Sequence, residues 1–105
     1  MDHFYKIYNN KVLNSKKKKI IEILHETKVD FRMLTAFKNA LFDSDDLQEN
    51  HLIPLSSWKS ILIYEMQYCL SPCEDLILEE CLMKGEMVNL QKFVDIVDLF
   101  MFLPM

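Results

Sequence analysis

Glycine is almost absent: the 105 residues hold one, Gly85, alongside three prolines. That scarcity excludes folds built from many short strands and tight turns, and it excludes a Gly-rich phosphate loop. The cysteines, Cys69, Cys73 and Cys81, are odd in number and lack CxxC spacing, so neither a disulfide framework nor a zinc site is implied. Buried free thiols are expected at all three positions. No apolar run reaches the roughly 18 residues a membrane span needs, and no charged segment with a following apolar core opens the chain. An intracellular, cytoplasmic protein is expected. His3, His25 and His51 stand far apart, and no nucleophile motif or HExxH occurs. The chain is therefore not expected to be an enzyme.

Half of the residues are apolar, and Leu, Ile, Lys, Glu and Met favour helix, so one mostly helical domain is expected. Charge is divided unevenly. Residues 1 to 38 hold nine Lys/Arg against four Asp/Glu, a net +5, whereas residues 39 to 105 hold three against twelve, a net −9. A basic arm precedes an acidic module.

The segment from Leu41 to Met101 reads as one unit written twice at an offset of 35 residues. Leu41 falls on Leu76, Phe42 on Ile77, Leu47 on Leu82 and Leu52 on Met87. Ile53 then meets Val88, Leu55 meets Leu90, Trp58 meets Phe93, Ile61 meets Ile96, Leu62 meets Val97 and Met66 meets Met101. Each copy runs from a helical patch through a polar or Gly-bearing break to a short extended apolar pair and a second helical patch.

Local signals place the helices. One runs from Ser15 to about Thr27 with Ile20, Ile21 and Leu24 inward, and with Lys16, Lys17, Lys18 and Lys19 crowding its first turn against the helix dipole. Asp30 caps a second helix carrying Met33, Leu34, Phe37, Leu41 and Phe42. A third runs from Ser56 or Ser57 to Tyr68. Ser71-Pro72-Cys73-Glu74 has capping-box spacing for a fourth, and Asn89 caps the last. Residues 1 to 14, rich in Phe, Tyr and Ile, fit a helical stripe or a strand.

This order of helix, loop, β-branched residue and helix over residues 30 to 102 resembles the EF-hand pair of calmodulin-like proteins. A fainter similarity is to the regulatory EF-hand tail of EF-hand-bearing Ser/Thr phosphatases, where a loop Ile is also followed five residues on by Trp. The resemblance implies an all-α fold: one EF-hand pair of four helices with a two-residue β-bridge between loops, in which Met87-Val88 pairs antiparallel with Leu52-Ile53. Residues 1–29 would form the basic helical arm and residues 30–105 the pair, which should fold without the arm. Placing Ile53 at the eighth loop position makes Asp46 the first, Gln48 the third, Asn50 the fifth and Ser57 the twelfth. A calcium loop takes oxygen ligands at positions 1, 3, 5, 7, 9 and 12, with Glu at 12 and Gly at 6. Here His51 stands at 6, Pro54 at 9 and Ser57 at 12, so Asp46, Gln48 and Asn50 are vestigial ligands and no cofactor is expected. The second loop places Cys81, Met83 and Gly85 at positions 1, 3 and 5, which leaves no hard oxygen donors there.

The function expected from the resemblance is a non-catalytic calmodulin-like or light-chain-like adaptor, largely calcium-independent, holding an amphipathic helix of a larger partner such as a myosin neck or a cytoskeletal or signalling assembly. Ile61, Met66, Ile77, Val97, Phe100 and Met101 would make the apolar contacts, and an acidic rim would select a basic helix. The alternatives are a calcium-responsive regulatory module and a nucleic-acid or anionic-surface binder using Lys16 to Lys19. The net −9 of the remainder opposes binding to phosphates. A helical-repeat fragment has a similar period, but such arrays need three or more units.

Overall fold

A computed structural model describes residues 14–102. The stripe read at the start of the chain falls outside the described residues, apart from Asn14. Among the described residues, five α-helices and a small sheet follow in order: α1 Ser15–Glu26, α2 Phe31–Phe42, a short 3-10 turn Glu49–His51, β1 Leu52–Pro54, α3 Leu55–Met66, α4 Glu74–Cys81, β2 Leu82–Met83, β3 Met87–Asn89 and α5 Leu90–Phe102. The fold is mostly helical, as expected.

Three helix starts are fixed by side-chain caps. The Asn14 carboxamide oxygen accepts from the Lys17 N–H at 2.8 Å, and the Asp30 carboxylate accepts from Arg32 N–H at 2.7 Å and Met33 N–H at 3.4 Å. Asn89 accepts from Gln91 N–H at 2.9 Å and Lys92 N–H at 3.2 Å. Each such cap is worth about 1 kcal/mol. The Ser71-Pro72-Cys73-Glu74 signal, by contrast, does not open a helix at Pro72. The chain leaves α3 through Gln67 and Tyr68, both left-handed with φ of 45° and 70°, and then makes successive tight turns. In these turns Cys69 N–H donates to Met66 C=O, Ser71 to Tyr68 and Cys73 to Leu70. Burial of both Leu70 and Cys73 holds these turns in place, so α4 starts only at Glu74.

β1 pairs antiparallel with β3 in the register Leu52 with Asn89, Ile53 with Val88 and Pro54 with Met87. Ile53 thus faces Val88, as the repeat requires. The sheet is larger than a two-residue bridge, because β2 adds a third strand in the order β1-β3-β2, with Leu82 opposite Val88 and Met83 opposite Met87. The tight turn between β2 and β3 needs left-handed backbone, which Gly85 (φ 77°) supplies without strain and Glu86 (φ 59°) also adopts.

The core centres on Phe37, Trp58 and Phe93 of α2, α3 and α5. Their rings meet edge to face, with centroids 5.5 Å apart for Phe37 and Trp58, 5.3 Å for Phe37 and Phe93, and 6.1 Å for Trp58 and Phe93. Two pairs of repeat-equivalent residues therefore touch each other, Ile53 with Val88 and Trp58 with Phe93. Self-contact of equivalent positions is what a local two-fold axis between the copies produces. The copies differ on their entering side. α2 stops at Phe42, whereas α4 continues to Cys81, the equivalent of Asp46, so a helical turn and a strand take the place of the second loop's first positions.

α1 is not separated from the rest of the described residues. Ile20, Ile21 and Leu24 of α1 are fully buried and belong to the same apolar cluster as Trp58 and Phe93, because α1 packs against α4 and α5. α1 shares one apolar core with the helices that follow it.

Candidate functional site

Loop one connects α2 to β1 and α3. The backbone turns left-handed at Asn50 (φ 63°) and His51 (φ 60°), so the sixth loop position takes the conformation that favours glycine, although His51 occupies it. The His51 ring lies edge-on against Phe42 at 5.6 Å. Gln48 N–H donates to Leu52 C=O at 2.7 Å, and the loop closes on itself through its aligned first and twelfth positions: the Ser57 hydroxyl donates to the Asp46 carboxylate at 2.7 Å. The first N–H of α3, on Leu55, donates to Glu86 C=O at 2.9 Å, so the second turn caps the helix that leaves the first.

This donor set does not fit calcium well. Asp46 already spends a carboxylate oxygen on Ser57, Gln48 and Asn50 are neutral, and a hydroxyl stands where a bidentate carboxylate would close the coordination sphere. Among the described residues, no group of three or more His, Cys, Asp or Glu converges as a metal site would require.

The second region is the groove between α4 and α5, and α1 fills it. Lys16 at the start of α1 reaches Glu79 near the end of α4 at 3.5 Å, and the His25 ring near the end of α1 packs on Phe100 near the end of α5, centroids 4.7 Å apart. The helix therefore runs in the direction of α5 and against α4.

The six expected partner contacts do not form one open patch. Met66, Ile77 and Val97 are fully buried, and Phe100 is 9% exposed beneath His25. Ile61 and Met101 are partly exposed, Ile61 beside the loop-one cleft lined by Ser44, Asp46 and Ser60. The i, i+4 spacing that suggested a binding face is the spacing of residues packed inward. The lysine run is also split. Lys16 pairs with Glu79 and Lys17 is half-buried, which leaves Lys18 and Lys19 exposed.

Of the three thiols, Cys73 and Cys81 are buried and free, whereas Cys69 is exposed because the left-handed turn at Gln67 and Tyr68 rotates it outward. Burial, reinforced by Glu74, pushes the Cys73 thiol up to about 11. Burial pushes Cys81 up to about 12, with Glu80 adding to the rise and Lys92 and Lys17 opposing it. Neither thiol is a nucleophile at neutral pH.

Sequence reasoning missed the placement of α1, although a signal was present: a basic amphipathic helix written beside an acidic module. No described helix is long and apolar enough to cross a membrane. Comparison with protein-family models, curated proteins and solved structures gives no match to this chain.

Proposed function

We propose that this chain is a non-catalytic adaptor built on a degenerate EF-hand pair, whose loops hold their shape without calcium and whose α4–α5 groove accepts a basic amphipathic helix. The observation that carries the reading is the hydrogen bond from Ser57 to Asp46, which ties together the two loop positions that a calcium ion would otherwise bridge. The contacts of Ile53 with Val88 and of Trp58 with Phe93 support a two-fold pair of helix–loop–helix units. The groove's present occupant supports the choice of partner: α1 has a lysine-rich first turn, an apolar face and an acidic neighbour in α4. A partner helix of that chemistry, such as the IQ-type segment of a myosin neck or a helix of a cytoskeletal or signalling assembly, is the corresponding ligand.

Restoring the missing ligands tests the pair. Gln48→Asp, Asn50→Asp and Ser57→Glu are combined in one variant, and melting is followed in calcium and in chelator. The parent should melt at the same temperature in both, and the restored variant should gain stability from calcium alone. A folded variant indifferent to calcium would count against the EF-hand reading, and a calcium-stabilised parent would count against metal independence.

A further inference from the structure

Resting on that reading and extending it, we infer that the α4–α5 groove is an exchangeable site: α1 is its resident ligand, and a helix from another protein with the same chemistry takes its place. The required chemistry is a cationic first turn followed by aliphatic residues at i, i+1 and i+4, as in Ile20, Ile21 and Leu24.

The way α1 is held supports exchange. Among the described residues, its one ion pair to another element is Lys16 with Glu79, whose side chains are 44% and 56% exposed, the kind of pair that adds little. Its side-chain hydrogen bonds stay local: Asn14 bonds to Lys17, and Thr27 bonds back to Ile23 and Leu24. What remains is packing, the apolar contact of Ile20, Ile21 and Leu24 with Ile23 and the His25 ring beside them, which is largely non-directional and which another helix with the same face reproduces. The fit is also imperfect. Nε2 of His25 is buried without a partner where the ring covers Phe100. Four lysines at the positive end of a helix oppose its dipole, and Glu79 near the end of α4 lies beside that turn, 3.5 Å from Lys16. A partner helix with a cationic first turn meets Glu79 in the same way. The connection to α2 spans four residues, Thr27 to Asp30, and Lys28 within it is left-handed at φ 54°, a conformation unfavourable for a residue with a side chain.

Because α1 is tethered, it competes at high effective concentration, so an outside helix binds the parent protein weakly until α1 is weakened. The test uses a fluorescein-labelled peptide of residues 14–29 and the full-length protein, with anisotropy read in calcium and in chelator. The parent should bind weakly. Ile21→Asp in the protein should tighten binding at least about tenfold, by removing the resident's advantage. The same substitution placed in the peptide should abolish it. A folded Ile21→Asp protein that binds no tighter than the parent overturns the inference. Should that protein fail to fold alone, the peptide must restore a cooperative melt, and failure to do so is equally fatal. Binding that requires calcium would instead sink the metal-independent reading while leaving the exchange intact.

Discussion

Leu24→Ala separates a helix that belongs to the core from a basic arm that merely precedes it. Leu24 is 1% exposed, in the cluster that also contains Trp58 and Phe93, although it lies on a different helix from either ring. Removing a fully buried leucine costs about 2–5 kcal/mol, depending on how far the site collapses. With about 3 kcal/mol lost from a domain of this size, at roughly 4–8 °C per kcal/mol, the melting temperature should fall on the order of 10–25 °C. Trp58 is the only tryptophan and is fully buried, its ring against Phe37 and Phe93, so its emission reports the packing of α2, α3 and α5. Urea unfolding followed by Trp58 emission and by far-ultraviolet dichroism should give one coincident transition, shifted by the full amount in both signals. Glu26→Ala, at an exposed position of the same helix, should shift neither by more than about 0.5 kcal/mol. If Leu24→Ala lowers the helical signal while the Trp58 midpoint stays at the parent value, α1 is an independent arm and the packing argument fails.

His51→Gly should stabilise the protein by about 0.5–1 kcal/mol, since glycine relieves the left-handed backbone at φ 60°. A higher urea midpoint is expected, and a loss above about 1 kcal/mol would mean that the ring contact with Phe42 outweighs the strain. Cys69 should react with a disulfide reagent in the native state, and Cys73 and Cys81 only on unfolding. Both buried thiols are raised in the folded state from an ordinary value of 9.0, to about 11 and about 12. The unfolded chain therefore loses these protons first, and stability should decline as pH rises above 9, levelling off once the folded thiols also ionise. Replacing both by Ala should flatten that alkaline slope, and an unchanged slope would assign it to other groups.

Much of the fold was legible because local and long-range signals agreed. Asp30 and Asn89 cap the helices their positions announced, and the apolar repeat gave the facing of Ile53 and Val88. Ser71 misled because a capping box is a local signal: burial of Leu70 and Cys73 held the chain in turns past it. β2 was missed because Leu82 and Met83 are only two residues long, and their strand character comes from pairing with β3. The groove residues carry a related ambiguity. A stripe such as Ile77, Val97 and Phe100 reads the same whether it faces a partner or another helix of its own chain, and periodicity cannot say which. What decides is the covering element, and the lysines before Ile20, Ile21 and Leu24 give α1 the look of a separate arm although its apolar face is buried against α4 and α5.

The contact between the rings of His25 and Phe100 reports most directly that α1 occupies the α4–α5 groove. With centroids 4.7 Å apart, the two side chains should give nuclear Overhauser cross-peaks between their ring protons in the full-length protein. A folded protein with no cross-peak between these rings, with Phe100 instead in contact only with its own helix and solvent, would contradict the account.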